Sequence, residues 1–248
     1  MRRALFAAVV LATLPAHSTY ASALDELRAA LEHLRAQAPL KARIRQENTS
    51  DYKDEGQRRT RQGVAMIVAE DAGAGRPLAL VYDAAVLTQA AREPAGRRDS
   101  QGPGDAVRDL DAVRVLGLVR SGEHLLEALA GARLVAETAE RRAGRPSRAI
   151  ELALSAPRGL DREKGFKITR TARVWIDASG VPLASEIRTN TEVRRLVFKV
   201  RFETTEKNDY AVAGRRLVTR RRETVNHWKA WIIAEGSNRS VTTVEPLE

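Results

Sequence analysis

From Phe166 to Trp231 hydrophobic and polar residues alternate over long runs. Thr171 to Ile176 leads into Asp177-Ala-Ser-Gly180, a turn signal, and a second alternating run leads out as far as Arg188. Farther on, Leu196, Phe198, Val200 and Phe202 fall on one face, while Arg195, Lys199, Arg201 and Glu203 fall on the other. A period of two marks half-buried antiparallel strands. A slip of one residue would carry arginines into the core, so the register is strongly specified. Val218, Arg220 and Arg222 share a face in the next run, opposite Thr219 and Arg221. Gly236-Ser-Asn-Arg-Ser240 reads as a turn into a last strand through Val244.

Upstream the period changes. Leu24, Leu27, Leu31 and Leu34 are spaced for a helix over Leu24 to Ala36, stopped by Pro39. His33 sits beside that stripe and reads as a half-exposed helix residue. Lys41 to Asn48, Arg58 to Glu70 and Pro77 to Tyr82, with turns at Asp51–Gly56 and Ala72–Gly75, predict an antiparallel meander. Asp83 can cap a helix from Ala84 to Arg92, and Glu93 to Gly104, rich in Pro, Gly and charge, reads as a flexible loop. Apolar residues at helical spacing follow over Asp105–Val119, and Ser121 can cap a short helix ended by Gly131. These helices are too short to form a bundle and are expected to cover one face of the sheet. Ala132–Arg142 and Pro146–Ser155 flank Ala143-Gly-Arg145 as a hairpin, with Leu134, Ile150, Leu152 and Leu154 as its core residues.

Charge adds a location. The chain carries a formal +10. Phe166 to Trp231 holds fifteen Lys or Arg against seven Asp or Glu, so most of the basic excess belongs to the strand region. Seven of the nine aromatic residues beyond residue 23 lie there too.

Residues 1–23 read as an export signal: a basic Met1-Arg-Arg3, an apolar Ala4 to Leu14 too short to span a bilayer, and a small-x-small Ala21-Ser-Ala23. The mature chain is then expected to be one domain, 24–248, periplasmic or secreted. There is no Cys, so no disulfide, thiol nucleophile or lipid-attachment site exists.

The search for catalytic chemistry is negative. The four His lie in separate elements with no second ligand at metal spacing. Gly-x-Ser-x-Gly and phosphate-cradling Gly loops are absent. No enzyme, metal or cofactor is expected. Basic strands with interleaved aromatics invite a nucleic-acid reading, but export removes that partner. An anionic envelope component, bound by arginine, fits the basic face better, with Lys199, Arg201, Arg220 and Arg222 as its residues. Peripheral membrane contact would suit the same face. Trp175 shares a face with Arg173 and Asp177, opposite Val174 and Ile176. Trp228 and Trp231 differ in parity, so on a regular strand they point to opposite sides.

The order of elements, with Val174-Trp-Ile-Asp-Ala-Ser-Gly-Val-Pro-Leu183 in the long meander, resembles uncharacterised secreted proteins of Gram-negative bacteria. More distantly it is similar to the periplasmic outer-membrane lipoprotein carrier family and its stress-sensing relatives. That family's conserved buried arginine has no assignable position here, so no functional residue is carried over. The resemblance implies an α+β fold, a strongly curved antiparallel sheet (a half-open barrel) with helices over its concave face. Incomplete packing there would leave an apolar pocket. The expected function is non-catalytic binding of an acyl chain, a lipid or a lipidated protein, with Trp175, Leu196, Phe198, Val200 and Phe202 as ligand-binding residues. The alternative is a module that docks a polyanion or a protein through the basic sheet face.

Overall fold

The computed structural model describes residues 22–54, 57–73, 75–92, 103–156, 166–195, 198–230 and 234–247. Among the described residues ten antiparallel strands form one sheet in the order β3-β2-β1-β10-β9-β8-β7-β6-β5-β4, curved but not closed into a barrel. In chain order they are β1 (Leu40–Asp54), β2 (Gln57–Asp71), β3 (Leu78–Tyr82), β4 (Arg133–Arg142), β5 (Arg145–Leu154), β6 (Phe166–Ile176), β7 (Pro182–Arg195), β8 (Phe198–Ala213), β9 (Arg216–Ala230) and β10 (Ala234–Leu247). The C-terminal strand inserts between β1 and β9 and so joins the two halves of the chain. The helices are α1 (Ala23–His33), α2 (Ala84–Arg92), α3 (Pro103–Asp109), α4 (Ala112–Val119) and α5 (Ser121–Ala128).

Two apolar clusters hold helices to the sheet. In the first, Leu27 and Leu31 of α1 and Leu125 of α5 pack with Ile150, Leu152, Val174, Ile176 and Leu217. In the second, Leu110, Val115 and Leu118 pack with Ile44, Ile67, Val218 and Val244. Full burial of such a side chain is worth roughly 1.5–3 kcal/mol, so these clusters dominate the attachment of the helices.

Several expectations shift in detail. The helix expected over Asp105–Val119 breaks at Leu110, because the Asp111 carboxylate accepts the Arg114 N–H and starts α4 afresh. Ser121 does not cap α5. Its hydroxyl instead bonds the Leu118 carbonyl and the Thr219 hydroxyl, at 2.8 and 2.7 Å. Leu134 is 41% exposed rather than core, since its strand is the sheet's outer edge and is broken by a bulge there. Gly236–Ser240 is strand rather than turn: β10 begins at Ala234 and pairs with β9 throughout that stretch. The expected leader lies outside the described residues as far as 21. Ser22 and Ala23 belong to α1, as its N-cap and first residue. The connector 157–165 and most of the expected 93–104 loop also lie outside the described residues, while Pro103 and Gly104 open α3.

Along the strands, the helix-covered face changes character in three steps. On β1 it reads Ala42 and Ile44, then Gln46, Asn48 and Ser50, all buried, then Tyr52. On β10 it reads Val244, then Thr242, Ser240 and Asn238, then Gly236. On β9 it reads Arg222, Thr224 and Asn226, then Trp228. On β8, Asn208, Glu206 and Thr204 precede Phe202. An apolar end, a polar band and an aromatic end follow one another across the central strands.

Candidate functional site

An ion cluster of buried Asp71 and Arg216 with the partly exposed Arg120 fixes the helices above the polar band. Asp71 at the end of β2 accepts from Arg120, between α4 and α5, at 2.7 and 3.0 Å, and from Arg216, at the start of β9, at 2.7 Å. Both charged partners reach further. Arg120 also bonds the Gly73 and Arg76 carbonyls, and Arg216 those of Val119 and Ala38. Burial raises the Asp71 carboxyl, but the hydrogen bonds from Arg120, the Gly73 N–H and Arg216 outweigh it and hold the group below the usual carboxylate range. Arg216 is among the largest fully buried side chains, and sequence alone gave no reason to single it out.

Beneath α3, α4 and α5 a groove of about 870 Å³ runs over the polar band. Its floor is a hydrogen-bonded sheet surface. The Thr242 hydroxyl donates to Gln46. Gln46 donates to Asn48 at 2.7 Å, and Asn48 to Asp109 of α3 at 2.8 Å. On the other side Arg222 donates to Asn208 at 2.8 Å, and Asn208 donates to Glu206 at 2.8 Å and to Ser185 at 3.2 Å. Ser185 in turn meets the Tyr210 hydroxyl at 2.7 Å. Burial pushes the Tyr210 phenol up to about 12, so it stays protonated at any ordinary pH.

Between these two networks, Thr224, Ser240 and Asn238 line the groove with no side-chain hydrogen-bond partner among the described residues, and Asn226 only accepts, from Thr204 at 2.8 Å. His124 of α5 stands at the rim with part of its ring open to solvent. Desolvation against the sheet and the Arg222 charge hold its imidazole below the ordinary value, against the pull of Glu206 and Glu127. It is therefore neutral at pH 7.

Of the residues expected to bind ligand, Val200 and Phe202 face the helix-covered side at the aromatic end, with Phe202 44% exposed. Leu196 lies outside the described residues, as does the side chain of Phe198. Trp175 is on the opposite, outer face. Its indole N–H donates to Glu140 at 2.8 Å, and Arg142 and Arg173 lie 4.3 and 5.3 Å from its ring centre. It does not join Phe202, because the residues that pair into the core on β6 are Val174 and Ile176.

The expected basic face is likewise divided. Arg201 is on the outer face beside Lys229 and Glu192, pairing Glu192 at 3.6 Å. Arg222 is on the helix-covered face, 3.5 Å from Glu206. A bulge opposite Asp209 and Tyr210 leaves Arg220 without a cross-strand partner and breaks the alternation that put Arg220 and Arg222 together. The side chain of Lys199 lies outside the described residues. No group of three metal-ligating side chains occurs among the described residues.

What sequence reading missed is the polar band. Its signal was present, as Thr224-x-Asn226-x-Trp228 and Gly236-x-Asn238-x-Ser240-x-Thr242. The second run was hidden because a Gly-Ser-Asn cluster reads as a turn.

Comparison with known proteins assigns no family: no family model matches the chain, and no curated protein matches it. Among solved structures it is similar to a chain in the crystal structure of MucB in complex with MucA(peri), at 15% identity over 90% of this chain and 93% of that one. The TM-score is 0.19, and a superposition that loose carries no argument about fold or ligand. No described helix is long and apolar enough to cross a membrane.

Proposed function

We propose that this is a non-catalytic binding domain of the cell envelope, exported by its N-terminal segment, that holds a polar ligand in the groove under α3–α5. One observation carries the reading. The groove is a pocket of ligand size whose floor presents amides and hydroxyls still short of partners. These groups are half-exposed and open to water in the free protein, so a ligand with matching donors and acceptors can take the place of that water. An acyl chain would gain nothing from these groups. The apolar side chains at the other end of the same face are packed into the two helix–sheet clusters rather than into the groove.

Native mass spectrometry of the protein purified from its own envelope, beside Ser240→Trp, tests the reading. The bulky indole fills the floor between Thr224 and Asn238. The wild type should carry a bound mass, or gain thermal stability from an envelope extract, by about 2.7 kcal/mol at a hundredfold excess over Kd. The folded variant should show neither. Equal behaviour of the two proteins would refute the groove as the site.

A further inference from the structure

We infer that the groove's ligand is an uncharged oligosaccharide, which stacks a sugar ring on Trp228 and hydrogen-bonds along β9 and β10. This rests on the groove reading above and names its ligand class.

The floor of the groove holds three consecutive cross-strand rows on one face: Asn226 with Asn238, Thr224 with Ser240, and Arg222 with Thr242. The same face runs on into a fourth row, Trp228 with Gly236, which with Tyr52 lines an adjoining cavity of about 570 Å³. Rows two residues apart on a strand are separated by about 7 Å, so the four span about 20 Å. That suits a short oligosaccharide in extended form. The fourth row is an aromatic platform. A Cβ on Gly236 would lie 2.8 Å from three atoms of the Trp228 ring, so the indole rests against the bare glycine backbone. Phe202, 44% exposed, lies directly across from it on β8, and Tyr52 directly across from Gly236 on β1. The two rows beside it are short amides and hydroxyls, which both donate and accept.

A pyranose has the matching division, with a ring face of C–H groups and a rim of hydroxyls that each donate and accept. A lipid lacks the rim, and a nucleotide or other polyanion brings charge that the groove does not answer. Four carboxylates and four guanidiniums line it, and the groove's helices pair Asp105 with Arg108 and Asp109 with Arg114. With His124 neutral, the groove's lining has no net charge, and at the Trp228 end Asp51, Glu203 and Glu235 offset all but one of four cations, so neither end presents a strongly cationic surface. The rows sit on paired strands rather than loops, which holds their spacing in the absence of ligand.

The test is calorimetric titration of the mature chain with maltotetraose, cellotetraose and chitotetraose, beside tetra-alanine and anionic phospholipid vesicles. At least one tetrasaccharide should bind, with affinity nearly independent of salt. Trp228→Ala should weaken it roughly tenfold or more, and Trp228→Phe should retain most of it. Gly236→Ala, which displaces the indole without removing it, should also weaken it and guards against a folding defect in Trp228→Ala. Tetrasaccharide binding that survives both Trp228→Ala and Gly236→Ala overturns the inference. Binding of peptide or vesicle alone, abolished by Ser240→Trp, overturns the glycan and leaves the groove standing. Glycan binding untouched by Ser240→Trp, or no binding by any probe, overturns both.

Discussion

Asp71 shows how one carboxylate can set the geometry of a distant surface. It is 2% exposed and binds two arginines, one on the helices and one on the sheet. Removing one member of a buried pair leaves the other charged and unpartnered, at a cost of about 3–5 kcal/mol. Asp71→Asn should destabilise the protein by that order in urea unfolding, far more than Glu70→Gln one residue earlier, whose carboxylate makes an exposed pair with Lys41. The pH dependence has a definite sign. The folded carboxyl sits below its ordinary value, so the unfolded chain takes up the proton first. The contribution of Asp71 is therefore complete above about pH 4 and is lost as pH falls through the lower folded value. Acid titration of Asp71→Asn should show a flatter stability curve in that window.

At the level of elements, the hairpin between β4 and β5 departs from what its sequence would choose freely. Ala143 and Gly144 turn it with φ of 48° and 80°. That backbone is the one Asn-Gly adopts readily, and for Ala the left-handed region costs roughly 1–2 kcal/mol. Ala143→Asn should raise stability by about 0.5–1 kcal/mol in thermal or denaturant unfolding, without altering the fold. The hairpin itself was legible in sequence, as were α1, α2 and most of the strands, because amphipathic period and turn chemistry are local. The break at Leu110 was less so. Val107, Leu110 and Val113 keep helical spacing across it, and the capping by Asp111 competes with that pattern at a single residue. The start of β10 was lost for the same reason: Gly236 and Asn238 are turn formers locally, and only pairing with Trp228 and Asn226 makes them strand.

For the molecule as a whole, the sequence conveyed a curved antiparallel sheet with helices on one side, since alternation and short unpartnered helices leave few other arrangements. It did not convey the site. Parity arguments assume unbroken strands, and the bulge at Arg220 and the outward turn of Trp175 separate residues that composition had grouped together. A polar floor inside a covered face also runs against the rule that inward positions are apolar, so Gln46, Asn48 and Asn208 gave no sign of burial until the helices were in place.

The short β3 has a consequence of its own. It pairs with β2 only from Ile67 to Asp71, so among the described residues Gln57 to Met66 has a strand neighbour on one side only. Val64 and Met66, 47% and 43% exposed, sit on that stretch. A long open strand with apolar side chains is a template for stacking one molecule on the next. Arg58, Arg59 and Arg61 charge its outer half and repel a second copy. The colloidal behaviour of the protein should thus depend on three side chains of this edge. Replacing all three with serine should turn a clear concentrated solution turbid, as read by light scattering. If the triple variant stays monodisperse, the edge is shielded by something other than charge.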